Sequence, residues 1–227
     1  MIMDNEIKEI KRRFRLSMNG IVSASMREKG MNYKINFGLT QPLIKEIASS
    51  YSPNEELAEK LWEDKAVRES MMLAPYLYPA EKFDKEHAYR WINDIPYTEI
   101  ADSCCKNLFQ NLPFAKELAL ECIQNKGNMA IYTGYRLIIS LMIKTNHFSS
   151  TENEVIIAKG LKQCISGNHM TAFISLSCLK RGMKIKNFAD KLIPVISEWD
   201  KNGNTKQKKI AEDLYLEYEI CKEYFPE

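Results

Sequence analysis

The residues in this chain whose types and spacing could do chemistry are clustered cations and a few isolated charges set into apolar helical patterns. Cations gather at Lys11-Arg12-Arg13-Phe14-Arg15, at Lys180-Arg181-Gly182-Met183-Lys184-Ile185-Lys186 and at Lys206-Gln207-Lys208-Lys209. The middle run spans an expected helix end, where positive charge complements the macrodipole. The last opens an expected helix, where the dipole disfavours cations, so a partner's negative charge explains it better, and phosphate is the obvious candidate. Lys11–Arg15 could supply the other edge of the same groove. Solvated lysines on exposed helix faces would give the same pattern with no partner at all. Arg136 lies in the apolar run from Tyr135 to Ile143, where an unpaired buried guanidinium is costly. It therefore either pairs with a carboxylate, for which Asp102 is a candidate, or points into a groove that receives phosphate. Thr98, Asp102 and Lys106 share a face at spacing four, so Asp102 is either half of an exposed pair worth about 0.3–0.5 kcal/mol or a carboxylate aimed at a ligand.

Other chemistries find no support. The six Cys (104, 105, 122, 164, 178 and 221) contain no C-x-x-C, and the three His are widely separated. They read as buried free thiols of a reducing compartment and give no zinc site or other metal site. There is no Gly-rich phosphate loop and no G-x-S-x-G elbow. Met1–Lys11 is charged from Asp4 onward and lacks the apolar stretch of a signal peptide. The longest apolar run, Leu137–Ile143, falls far short of a bilayer span of about 20 residues. The expectation is a cytoplasmic monomer with no membrane segment and no cofactor. Charge is unevenly spread: residues 51–125 carry eight Lys/Arg against fourteen Asp/Glu, whereas 126–211 carry fourteen against five. A basic stretch this long on a nearly neutral chain is compatible with a polyanion across part of the surface.

The elements that must position these groups are helices almost throughout. Nine Gly and eight Pro among 227 residues are too few for the turns of an all-β chain. Periodicity and breakers predict helices near 4–16, 21–28, 55–63, 66–78, 84–93, 98–110, 114–125, 128–145, 152–166, 168–184, 187–199 and 205–223, with a further helix entered from the turn 36–42 and stops at Gly30, Pro79, Pro96, Pro113, Gly127, His147–Ser150, Gly167, Gly182 and Asn202-Gly203-Asn204. Thr40 reads as an N-cap with Pro42 in the first turn. On 98–110, Ile100, Ala101, Cys104, Cys105, Leu108 and Phe109 form the apolar face. Short helices joined by short turns, with pairs repeating every 35–45 residues or so, predict an all-α α-solenoid of about six helical pairs in a single domain over 1–227.

Three stretches carry a resemblance to a known family: Asn36-Phe37-Gly38-Leu39-Thr40-Gln41-Pro42-Leu43-Ile44-Lys45-Glu46-Ile47-Ala48; Ala58–Glu63 with Val67–Ala74; and Trp91-Ile92-Asn93-Asp94 running to Asp102-Ser103-Cys104-Cys105-Lys106-Asn107-Leu108-Phe109. These resemble the DNA alkylation repair (AlkD-like) family of HEAT-repeat glycosylases. The resemblance implies a C-shaped stack of HEAT-like repeats whose basic face holds double-stranded DNA. It also implies hydrolysis of the N-glycosidic bond of cationic N3- or N7-alkylated purines. The alkylated base is a good leaving group, so a fixed carboxylate that stabilises positive charge on the deoxyribose suffices.

Position by position, the family's aspartate falls on Asp102, the one retained group. Its tryptophan four residues earlier falls on Thr98, which has no π-face. Its arginine falls on Tyr132, with Arg136 one turn later on the same face. A second tryptophan falls on Leu176 or Ser177. The resemblance thus implies Asp102 as the catalytic carboxylate, with Thr98, Tyr132 and Arg136 at the DNA, and the charge clusters add Arg12, Arg13, Lys180, Arg181, Lys184, Lys206, Lys208 and Lys209 as phosphate contacts. Two readings stay open: a DNA glycosylase of the base excision type, and a non-catalytic HEAT-repeat module that binds DNA or a protein partner.

Overall fold

The computed structural model describes residues 2–144 and 148–225, with side chains from residue 5 onward. It divides into two compact units, Met1–Pro113 and Phe114–Glu227. Thirteen α-helices occur among the described residues, and the only β-type pairing among them is an isolated bridge between Ile35 and Val67. The expected break at His147 lies outside the described residues.

The first unit contains α1 (Ile2–Leu16), α2 (Gly20–Glu28), α3 (Gln41–Ala48), α4 (Glu55–Glu63), α5 (Arg68–Leu77), α6 (Lys85–Asp94) and α7 (Thr98–Asn107). Helices α3, α5 and α7 stack in one row, and α4 pairs with α5. Between α4 and α6, Trp62 and Trp91 stack with ring centroids 3.9 Å apart and an interplanar angle of 2°. Each indole N–H donates to a carboxylate of the opposite helix, Trp62 to Asp94 and Trp91 to Glu59, both at 3.3 Å. Two fully buried rings thus keep their polar edges satisfied, as buried indoles must.

The second unit contains α8 (Ala115–Cys122), α9 (Asn128–Ile143), α10 (Ser150–Ser166), α11 (His169–Gly182), α12 (Lys186–Asn202) and α13 (Thr205–Cys221). Its sequential pairs are α8–α9, α10–α11 and α12–α13, with α9, α11 and α13 forming one row and α8, α10 and α12 the other. Helix α9 is buried along almost its whole length, as an element that is apolar all round must be. Helices α10 and α13 start with capping boxes built on Ser149–Glu152 and Asn204–Gln207, satisfying N–H groups that a helix start leaves open.

Several boundaries differ from the sequence reading by two or three residues, among them the end of α8, at Cys122 and not 125. Helix α5 begins at Arg68 because Asp64–Val67 is a turn whose chain pairs with Ile35. Helix α7 ends at Asn107 and continues as a 3₁₀ turn, Phe109–Asn111. Helix α12 runs on to Asn202 with Pro194 inside it.

Candidate nucleic-acid interface

Asp102 sits at mid-length on α7, half-buried, while Ile100, Ala101, Ser103, Cys104 and Cys105 around it are buried. Its position follows from how tightly the helix is tied down. Arg68, at the start of α5 and 4% exposed, donates from Nε to Glu99 Oε1 at 2.9 Å and from Nη2 to Glu99 Oε2 at 2.7 Å. This fork fixes the first turn of α7, three residues before Asp102. The other Arg68 amine donates to Leu39 O and to Glu69, both at 2.9 Å. Glu69 is fully buried, and its two oxygens accept the backbone N–H groups of Phe37 (3.1 Å) and Leu39 (3.3 Å). Burial alone would lower the Arg68 pKa, but the bond to Glu99 and the charges of Glu99 and Glu69 outweigh it and hold it above its ordinary value.

The Tyr33 hydroxyl donates to Glu99 Oε1 at 2.8 Å, and burial followed by the Glu99 charge pushes its pKa far up. Tyr97, the residue before α7, accepts the Asn32 N–H at 2.9 Å and packs edge-on against Tyr33. Ser103 Oγ donates to Met72 O at 3.1 Å, which fastens the middle of α7 to α5. Gly38 closes the loop that supplies these backbone groups. Its φ is +72°, and a Cβ there would lie 2.2 Å from Asn19 O, so only glycine fits without strain.

The remaining expected site residues are distributed over both units. Thr98, the first residue of α7, is half-buried. On α1, Arg12 is exposed and forks onto Glu9 at 2.8 Å, whereas Arg13 is half-buried with no ion pair among the described residues. On α9, Tyr132 is 9% exposed and Arg136 is half-buried.

The basic runs of the second unit are partly consumed by the fold. Lys180 and Lys184 face Asp213 (3.7 Å) and Glu217 (2.9 Å) of α13, a two-rung ladder at matching spacings of four. Arg181 Nη2 reaches Met142 O at 3.5 Å, near the carboxyl end of α9. Lys206, at the start of α13, has a partner inside the fold. Its ammonium donates to Ile165 O at 2.6 Å, in the last turn of α10, where positive charge offsets the negative helix end. Lys208 and Lys209 are exposed and form no ion pair among the described residues.

The sequence pattern of the DNA alkylation repair enzyme family matches residues 10–126. The chain belongs to that family. The matched region contains the Arg68–Glu69–Glu99 network, the Trp62–Trp91 stack and Asp102. Among solved structures, one described as "a new family of proteins related to the HEAT-like repeat DNA glycosylases with affinity for branched DNA structures" is similar to this chain. It has a TM-score of 0.76 and 16% identity, covering 92% of this chain and 94% of its own. At that identity the likeness establishes a shared HEAT-like helical fold. No curated protein matches the chain.

Sequence reasoning missed two things that the family match does not itself explain. The Arg68–Glu99 fork was legible only as a charged residue at the start of an apolar helix. The exposed ring of Phe173 falls off the buried face of α11 (Thr171, Ile174, Ser175, Cys178 and Leu179), a signal that periodicity could have given. Among the described residues no helix is long and apolar enough to cross a membrane, and no group of three His, Cys, Asp or Glu could hold a metal ion.

Proposed function

We propose that this protein binds DNA and that Asp102 is the group on which any base excision depends. Membership of the DNA alkylation repair family, carried by a match that includes α7, is the observation that supports this reading. In the reaction proposed, the bond between deoxyribose C1′ and the nitrogen of an N3- or N7-alkylated purine breaks, and its electron pair leaves with the base, which becomes neutral. The cationic sugar is stabilised by the Asp102 carboxylate until water adds to C1′ and loses a proton to solvent. A rigid anion suits this role, because it needs no reorganisation as charge develops, and α7 is anchored at its first turn and its middle. Lys208, Lys209 and Arg13 contact phosphate, with Arg136 as a further backbone contact.

A second reading is DNA recognition without excision. Thr98 has no π-face, and Tyr132 is nearly buried, so neither gives the clamp a cationic nucleotide would favour. The affinity for branched DNA stated for the structurally similar protein points the same way. Base release from duplex DNA carrying one N7- or N3-methylated purine decides between them. Release above the spontaneous rate that Asp102→Asn lowers at least about tenfold supports excision. Salt-sensitive binding with no release supports recognition alone, and no binding contradicts both.

A further inference from the structure

The second unit carries an open groove of about 400 Å³ between α11 and α13. Phe173 and Leu176 line it from α11, and Lys206, Lys209 and Asp213 from α13. Phe173 is 64% exposed, whereas every other phenylalanine of the described chain is buried or half-buried. An aromatic ring left in water across a groove from two ammonium groups is what a planar, anionic ligand would cover.

The charge of the surrounding chain narrows the ligand further. Residues 155–189 contain six Lys/Arg and no Asp/Glu, and residues 201–211 contain four Lys and no acid. The one carboxylate in the groove, Asp213, faces Lys180 at 3.7 Å. Lys206 is held in place by Ile165 O, so its charge is fixed at the groove wall, while Lys209 is exposed beside it.

We infer that this groove takes one unpaired nucleotide of a DNA strand, its base stacked on Phe173 and its phosphates beside Lys206 and Lys209. The inference rests on the DNA-binding reading and deepens it. A base inside a duplex has both faces covered by its neighbours, so the ring of Phe173 has a partner only where a nucleotide is unstacked, as at a bulge, a branch or a single strand. Stacking tolerates any base, because each has a π-face, and the lysines read the backbone without sequence. The groove therefore selects DNA by local structure and not by sequence.

Fluorescence anisotropy on two labelled duplexes of equal length, one fully paired and one with a single unpaired thymidine, tests this. Wild type is expected to bind the bulged duplex more tightly. Phe173→Ala should lose about tenfold on the bulged duplex and less than about twofold on the paired one, with Phe173→Trp retaining the preference. Lys209→Gln should weaken the bulged duplex at least as much as the paired one, and to the same extent whichever base is unpaired, as removal of a phosphate-binding cation does. An iodouracil at the bulge should photocrosslink to the wild-type peptide containing Phe173, a readout that does not depend on any variant folding.

Wild type that binds the paired duplex without preferring the bulge overturns the inference and leaves DNA binding intact. So does an unchanged preference in Phe173→Ala, a crosslink elsewhere, or displacement of the bulged DNA by polyglutamate as readily as by a single-stranded oligonucleotide. Failure of wild type to bind either duplex overturns both readings.

Discussion

The two units use charge in opposite ways. In the first, charge is inside: Arg68 and Glu69 are 4% and 0% exposed and spend nearly all their hydrogen-bonding capacity on Glu99, Leu39 and Phe37. In the second, charge is outside. Its buried polar residues are uncharged, and Lys180 and Lys184 pair with α13, Arg181 and Lys206 offset helix ends, and Lys208 and Lys209 are exposed. A buried, fully bonded network fixes a geometry and is intolerant of loss. An exposed cation is replaceable in the fold and available to a partner. Stability should therefore depend on the charges of the first unit, and DNA affinity on those of the second.

The largest effect is expected from breaking the buried network. Arg68→Ala or Glu69→Ala leaves a buried charge without its partner and should cost about 3–5 kcal/mol, seen as a lower urea midpoint. Gly38→Ala should come next, at about 2 kcal/mol in the same titration, because the new Cβ meets the Asn19 carbonyl in a left-handed backbone conformation.

High pH sharpens the contrast between buried and exposed groups. Burial raises the thiols of Cys104 and Cys178, and pushes that of Cys122 up to about 12, with Glu121 adding to the shift. The folded chain holds these protons where the unfolded chain releases them, so their stabilisation is full below the unfolded thiol pKa of about 8.5 and is lost above it. Thermal midpoints should fall from about pH 9 upward, and Cys122→Ala should shallow that fall. A smaller effect is expected on the surface. Lys180→Gln and Lys184→Gln each remove one exposed rung and should change stability by less than about 1 kcal/mol, so a larger loss in the urea titration would contradict the division.

Helix positions and the faces they bury were legible because apolar spacing and breakers encode them locally. The predicted face of α7 is buried at Ile100, Ala101, Cys104, Cys105, Leu108 and Phe109. The family resemblance was also legible, because the segment from Trp91 to Phe109 is a local string. What could not be read were interactions across tens of residues. Arg68 and Glu99 are 31 apart and Lys206 and Ile165 are 41 apart, and no spacing rule connects them. The lysine cluster at 206–209 looked dipole-disfavoured because only its own helix was in view, while α10 supplies the carbonyl that Lys206 answers. Pro194 did not mislead the reading, which carried its helix over 187–199, because the apolar face on either side of a local breaker still packs.

The most direct test of the division is the salt dependence of duplex affinity for wild type and for the Lys208→Gln, Lys209→Gln double variant. If exposed cations of the second unit bind phosphate, log K should fall steeply with log salt in wild type. The double variant should flatten that slope by about 1.8, or about 0.9 for each phosphate no longer neutralised, with its urea midpoint unchanged. An unchanged slope, or a variant that loses stability instead of affinity, would contradict the assignment of these charges to DNA.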